Sequence, residues 1–130
     1  MVAADTNVVV RLLTADDPDQ TRRAAALFAG ESVFLAKSVL LETEWVLRHC
    51  YGLERTAVLR ALTLLPGLPG VTVEAASDVA AALAAFGRGL DFADALHLAA
   101  SRPAGRFATF DEKLVRRAPE AMPGMVVAGL

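Results

Sequence analysis

The sequence predicts an α/β fold, with a mainly parallel sheet covered on both faces by helices. Three observations lead there. Short β-branched apolar runs of strand length alternate with longer segments of helical character, turn and cap residues separate them, and the alternation repeats along the chain. At 130 residues the chain can bury one sizeable core and is too short for two ordinary domains, which predicts a single domain over residues 1–130.

The elements follow in order. Val2-Ala3-Ala4 reads as a short buried strand ending at the turn- and cap-forming Asp5-Thr6-Asn7. The run Val8 to Leu13 has β-branched content, but the polar break before it and Asp16-Asp17-Pro18 after it suit a short helix. Asp17 as N-cap and Pro18 at the first helical position open a second helix that stops at Gly30. Val33 to Ala36 is a compact strand, and Ser38 is expected to cap a helix running through Trp45 and Arg48 to Gly52. Residues 54–65 form a further helix, closed by Pro66-Gly67-Leu68-Pro69-Gly70, and Val71-Thr72-Val73 is a brief strand.

Ser77-Asp78 begins an alanine-rich helix to Phe86, Gly87 and Gly89 break it, and Asp91 starts another that reaches Ala100. Pro103 and Gly105 end that helix. Phe107 to Phe110 is a strand delivering Asp111, a short basic helix holds Lys113 and Arg116, and Met125 to Val127 adds a last strand.

Composition narrows the function classes. No apolar stretch is long enough to span a bilayer, the first residues lack the pattern of a signal peptide, and a lone Cys50 makes no internal disulfide, so a cytoplasmic protein is expected. The net charge of −2 is not the basic footprint of a protein that binds nucleic acid by charge alone. Acidic residues gathered on divalent cations would reverse that local field.

The carboxylates carry the chemistry. In an open parallel sheet, ligands bind at the carboxyl ends of the strands, where Asp5 and Asp111 fall. Asp91 and Asp94 lie three apart on one helical face and repel unless Asp91 acts as a cap, offering an oxygen to the Asp94 amide. Glu42 has Val39, Trp45 and Val46 as its helical neighbours and is expected at an apolar face, whereas Glu44 pairs with Arg48 four residues on. Carboxylates without a cysteine or histidine cluster suit Mg²⁺ or Mn²⁺ rather than zinc, and point to hydrolysis of a phosphodiester.

Each residue also has a plainer role. Asp5 and Asp111 equally suit helix caps, and Glu42 equally suits a solvated surface. His49 and His97 read as structural, Trp45 as core and Cys50 as a buried small apolar residue.

Together, Asp5-Thr6-Asn7-Val8, Glu42-Thr43-Glu44-Trp45-Val46-Leu47, Asp91-Phe92-Ala93-Asp94-Ala95-Leu96-His97 and Thr109-Phe110-Asp111 resemble the PIN-domain family, with VapC-type toxins the closest likeness. The resemblance covers essentially the whole chain. It implies a three-layer α/β/α sandwich and a Mg²⁺- or Mn²⁺-dependent endoribonuclease that forms a homodimer and is restrained by a cognate antitoxin. By position, it implies Asp5, Glu42, Asp94 and Asp111 as the acidic metal ligands, Asn7 and Thr109 as residues that position them, and Asp91 as an auxiliary acid. Arg11, Arg88, Lys113, Arg116 and Arg117 are candidate phosphate contacts for an RNA substrate, or solvated surface charges.

Two hydrolytic or signalling alternatives fit less well. A phosphatase with an aspartyl nucleophile wants a second aspartate two residues after the first, where Asn7 stands. A phosphoacceptor receiver wants paired acids after its first strand, and none are present. The remaining alternative is a PIN-fold module that binds RNA or protein without cleaving it, with apolar helices 17–28 and 54–65 offering a partner groove.

Overall fold

A computed structural model describes residues 1–130. Seven α-helices and five strands alternate, and every strand pairing is parallel, so the α/β class is as expected. The chain divides into two compact units, Met1–Ala76 and Ser77–Leu130. No helix is long and apolar enough to cross a membrane.

The first unit contains β1 (Val2–Ala3), α1 (Thr6–Thr14), α2 (Pro18–Gly30), β2 (Val33–Leu35), α3 (Lys37–His49), α4 (Arg55–Leu64) and β3 (Val71–Val73), with a 3-10 turn at Leu65–Gly67. Its sheet has the order β1-β2-β3, with Val2 opposite Val33 and Val33 opposite Val71. The β-branched run after Asp5 is helical, because Asp5 caps it and the side chains at 9 and 10 bury together on one face. Asp17 caps α2 through the Gln20 amide at 3.0 Å, with Pro18 in the first turn. Val33, Leu35, Leu40, Leu47, Val58, Leu62 and Leu65 are buried.

Three expectations are corrected here. The first strand is not buried along its length: Val2 is half-buried and Ala3 exposed, and only Ala4 beyond it is buried. Ser38 does not cap α3. The cap position is Ala36, which lends no side-chain bond, and the orphan Lys37 amide instead donates to Glu74 Oε1 at 3.1 Å, a partner distant in sequence. Cys50 is exposed, since α3 ends just before it.

A clamp of polar side chains fixes the far end of α1. Arg11 donates through Nε to Gln20 (2.7 Å) and through Nη1 to Asp16 (3.0 Å) and Tyr51 Oη (2.9 Å). The Tyr51 hydroxyl in turn donates to Asp16 Oδ2 at 2.8 Å. This one guanidinium therefore ties α1 to the start of α2 and to the residues just after α3.

The second unit contains α5, which begins at the boundary (Ala76–Gly87), α6 (Phe92–Ala100), β4 (Arg106–Thr109), α7 (Glu112–Ala121) and β5 (Val126–Gly129). β4 and β5 pair in parallel, with Arg106 opposite Val126 and Thr109 opposite Gly129. Gly89 (φ +107°) makes the turn that separates α5 from α6, a conformation L side chains resist. Phe86 and Phe92 then meet edge to face across that turn, with centroids 5.6 Å apart. Phe92, Ala95, Leu96, Leu98 and Ala99 are the buried residues of α6, with Asp91 at its N-cap and Asp94 half-buried in its first turn.

Candidate active site

In the first unit, Asp5 sits between β1 and α1 and is exposed. Its Oδ1 accepts from the Thr6 amide at 2.7 Å, so one oxygen serves the helix start. Thr6 is buried, and its hydroxyl has no hydrogen-bond partner. Thr6 is not among the residues expected at the site, and its one signal in the sequence is its place between Asp5 and Asn7. Asn7 is exposed on the first turn of α1 and lines a shallow pocket of about 530 Å³ with Val8, Arg11, Gln20, Arg23 and Leu27.

Glu42 lies on α3, but not on an apolar face. The buried stripe of that helix is Leu40, Thr43, Glu44 and Leu47, while Glu42 is exposed and Trp45 is 52% exposed. Trp45 is therefore not core. It leans on His49 at a centroid distance of 4.9 Å. The stripe tolerates two polar residues because each is satisfied locally. Thr43 Oγ1 donates to the Val39 carbonyl at 2.7 Å, and Glu44, only 2% exposed, forms the expected ion pair with Arg48. The pair is two-pronged, with Arg48 Nη2 to Glu44 Oε1 at 3.3 Å as its second contact.

In the second unit, the acids interact as expected. Asp91 is the N-cap of α6, and its Oδ2 accepts from the Asp94 amide at 3.3 Å. Asp94 projects half-buried from the first turn of α6 and has no ion-pair partner. Its carboxyl is held above the usual aspartate range, first by burial and then by the charges of Asp91 and Asp111, with His97 opposing weakly. His97 itself is exposed. Asp111 caps α7 through the Leu114 amide at 3.1 Å, and its own amide donates to Thr109 Oγ1 at 3.0 Å. Thr109 thus fixes the backbone from which Asp111 projects.

The cations suggested as phosphate contacts divide into two groups. Arg11 is committed to its clamp, Arg88 donates to the Ala121 carbonyl (3.1 Å) and Arg117 to the Gly89 carbonyl (3.4 Å). Lys113 and Arg116 are exposed on α7.

The donor chemistry bears on a metal. Within neither unit do three or more His, Cys, Asp or Glu side chains gather closely enough to form a coordinating cage. Asp94 instead feels the like charges of Asp91 and of Asp111, all three with oxygen donors. That suits Mg²⁺, which keeps several waters and takes one or two carboxylates, better than zinc, which wants a closed nitrogen and sulfur shell.

Comparison with known families gives one match. The PIN domain model matches residues 2–120, which includes all four acidic positions singled out above. No curated protein matches the chain significantly.

Proposed function

The chain belongs to the PIN-domain family, a family of metal-dependent nucleases, and from that premise we propose that it is an endoribonuclease hydrolysing RNA phosphodiester bonds. The observation that carries the reading is Asp94: a half-buried carboxylate with no ion-pair partner, set among two further acids whose repulsion a cation would relieve. The Asp94 carboxylate itself gains no stability from its place between the two caps. A binding site for positive charge explains it.

In this reading one PIN-like domain spans residues 1–130, and Asp5, Glu42, Asp94 and Asp111 hold Mg²⁺ or Mn²⁺. The cation supplies charge neutralisation at the phosphate and the leaving oxygen, and lowers the pKa of the attacking water. The chain's own residues do the positioning. Thr109 and the α7 cap orient Asp111, Asp91 holds the first turn of α6 beneath Asp94, and Asn7 projects from the turn that follows Asp5.

The VapC likeness extends the proposal to partners: a cytoplasmic homodimeric toxin held by a cognate antitoxin. A groove of about 760 Å³ supports the antitoxin reading. It lies among α1, α2 and the end of α4 and is lined by Leu12, Leu13, Phe28, Leu64 and Leu68, which suits the apolar face of a partner helix.

The test is cleavage of pooled tRNA and ribosomal RNA by antitoxin-free protein in Mg²⁺ or Mn²⁺, with EDTA and Asp94→Asn as controls. Discrete fragments absent from both controls support the nuclease. Equal cleavage by Asp94→Asn, at matched purity, sinks the site assignment, and binding of RNA without cleavage favours the module that binds only.

A further inference from the structure

Phe110 is 82% exposed, more than any other large apolar side chain, and it stands immediately before Asp111. Nothing in the fold requires an aromatic there. β4 alternates outward and inward, with Arg106 and Ala108 exposed and Phe107 and Thr109 half-buried, and ends at Thr109, so Phe110 stands exposed in the bend between β4 and α7. The backbone on either side is fixed. The Leu130 amide donates to the Thr109 carbonyl at 3.0 Å, the Asp111 amide donates to Thr109 Oγ1, and Asp111 caps α7. The ring is thus presented to solvent from a rigid turn rather than from a loose tail.

Its charged surroundings indicate what would cover it. Lys113 and Arg116 lie on the exposed side of α7, and Arg106 lies at the other end of β4, about 13 Å from Phe110 at strand rise. None of these three cations is in an ion pair, unlike the arginines at 11 and 102, which are. The exposed acids Asp111 and Glu112 follow the ring directly, on the side of the candidate metal ligands, and the three cations lie farther off, on α7 and at the far end of β4. An exposed ring with unpaired cations further out suits single-stranded nucleic acid, whose phosphates the cations meet while the ring meets a base face.

We propose that Phe110 is a stacking platform for an unpaired base of the RNA, next to the phosphodiester that Asp94 and Asp111 address. This rests on the endoribonuclease reading above. Stacking tolerates any base, so Phe110 contributes affinity for unpaired RNA and a bias against duplex, while sequence choice lies elsewhere. A competing occupant is a second copy of the chain, because Leu130, 77% exposed, stands beside Phe110 where the β4–β5 register continues.

The experiment measures binding of a fluorescein-labelled, mixed-sequence single-stranded RNA dodecamer to the full chain in EDTA over a salt series, with sedimentation velocity on every variant. Phe110→Ala is expected to bind about 5- to 150-fold more weakly with an unchanged salt slope, because no phosphate contact is lost. Lys113→Ala is expected to reduce that slope by about one. Phe110→Trp restores affinity, and its indole is quenched by RNA beyond the change seen for Trp45 in the parent protein. Parent-like affinity of Phe110→Ala overturns the proposal and leaves the nuclease reading standing. A parent protein that does not bind RNA in EDTA and does not cleave it in Mg²⁺ or Mn²⁺ removes both. A shift from dimer to monomer in Phe110→Ala, with RNA affinity unmoved, assigns the ring to a second copy and overturns the proposal.

Discussion

The two glutamates of α3 offer the sharpest separation of structure from chemistry, and Arg48→Met tests it. Glu44 is 2% exposed and its carboxylate meets Arg48, whose side chain is 27% exposed. Methionine keeps the aliphatic stem of Arg48 and removes the charge, leaving an uncompensated carboxylate in the interior. Breaking a buried pair from one side costs about 3–5 kcal/mol, and partial exposure of Arg48 places this case near 3. For a chain of this size that is a fall in Tm of about 10 °C. Glu42→Gln, on the exposed side of the same helix, should change stability by less than about 0.5 kcal/mol yet lose metal-dependent cleavage. Replacing both members of the pair, with Glu44→Leu and Arg48→Met together, should recover much of the loss, since the penalty comes from the stranded charge. Thermal melts by circular dichroism at pH 7, paired with the RNA cleavage assay, read all three. Arg48→Met melting within about 2 °C of the parent would falsify the assignment of Glu44 as a structural acid. A large loss of stability in Glu42→Gln would show that the exposed glutamate is not the one available for chemistry.

Other perturbations have equally definite outcomes. Because burial and neighbouring charges raise the Asp94 pKa in the folded protein, the folded state holds that proton more tightly than the unfolded state, so ionising Asp94 lowers stability as pH rises above the ordinary value of 3.8. In EDTA, Asp94→Asn should therefore melt higher than the parent at pH 7, with the gain vanishing below that value; a lower Tm at pH 7 contradicts the electrostatic account. Asp5→Asn and Asp111→Asn should keep stability within about 0.5 kcal/mol, because Asn caps as well as Asp, but lose cleavage. Retained cleavage in either would leave that residue as a cap alone. Ala15, the α1 C-cap, sits at φ +54°, so Ala15→Gly should raise stability by up to about 1 kcal/mol in urea unfolding; a loss would mean that the unfolded-state entropy of glycine outweighs the relieved strain.

Much of the fold was legible because local signals agree with the tertiary outcome. Asp17-Pro18 and Gly30 bracket α2, Asp91 caps α6 through the Asp94 amide, and the strand at Val71 to Val73 ends where its apolar run ends. What was not legible depended on partners remote in sequence. The start of α3 is satisfied by Glu74, 37 residues away in sequence, which no local cap signal such as Ser38 can reveal. The rotation of α3 differs from the expected one for a related reason. An apolar stripe through Val39, Trp45 and Val46 looked inward, but Thr43 and Glu44 bury once the Val39 carbonyl and Arg48 neutralise them, which turns Trp45 and Glu42 outward. Arg11 looked like a free cation for the same reason: Tyr51, 40 residues on, is invisible to a local window.

The acids of the candidate site show why sequence alone cannot divide a cap from a ligand. Asp5, Asp91 and Asp111 are all N-caps, each with one carboxylate oxygen accepting from an amide in the first turn of its helix. That bond consumes one oxygen and fixes the side-chain rotamer, so capping orients the second oxygen rather than competing with it. The amides at a helix start also favour negative charge, so an anionic cap suits that position. Asp94 makes no such bond, and burial, followed by the charges of Asp91 and Asp111, raises its proton affinity. The two kinds of acid therefore make distinct predictions under one substitution. Asparagine preserves the cap and removes the charge at 5 and 111, whereas at 94 it removes a repulsion; loss of cleavage in all three, with a stability gain only at 94, is the pattern that joins capping to catalysis.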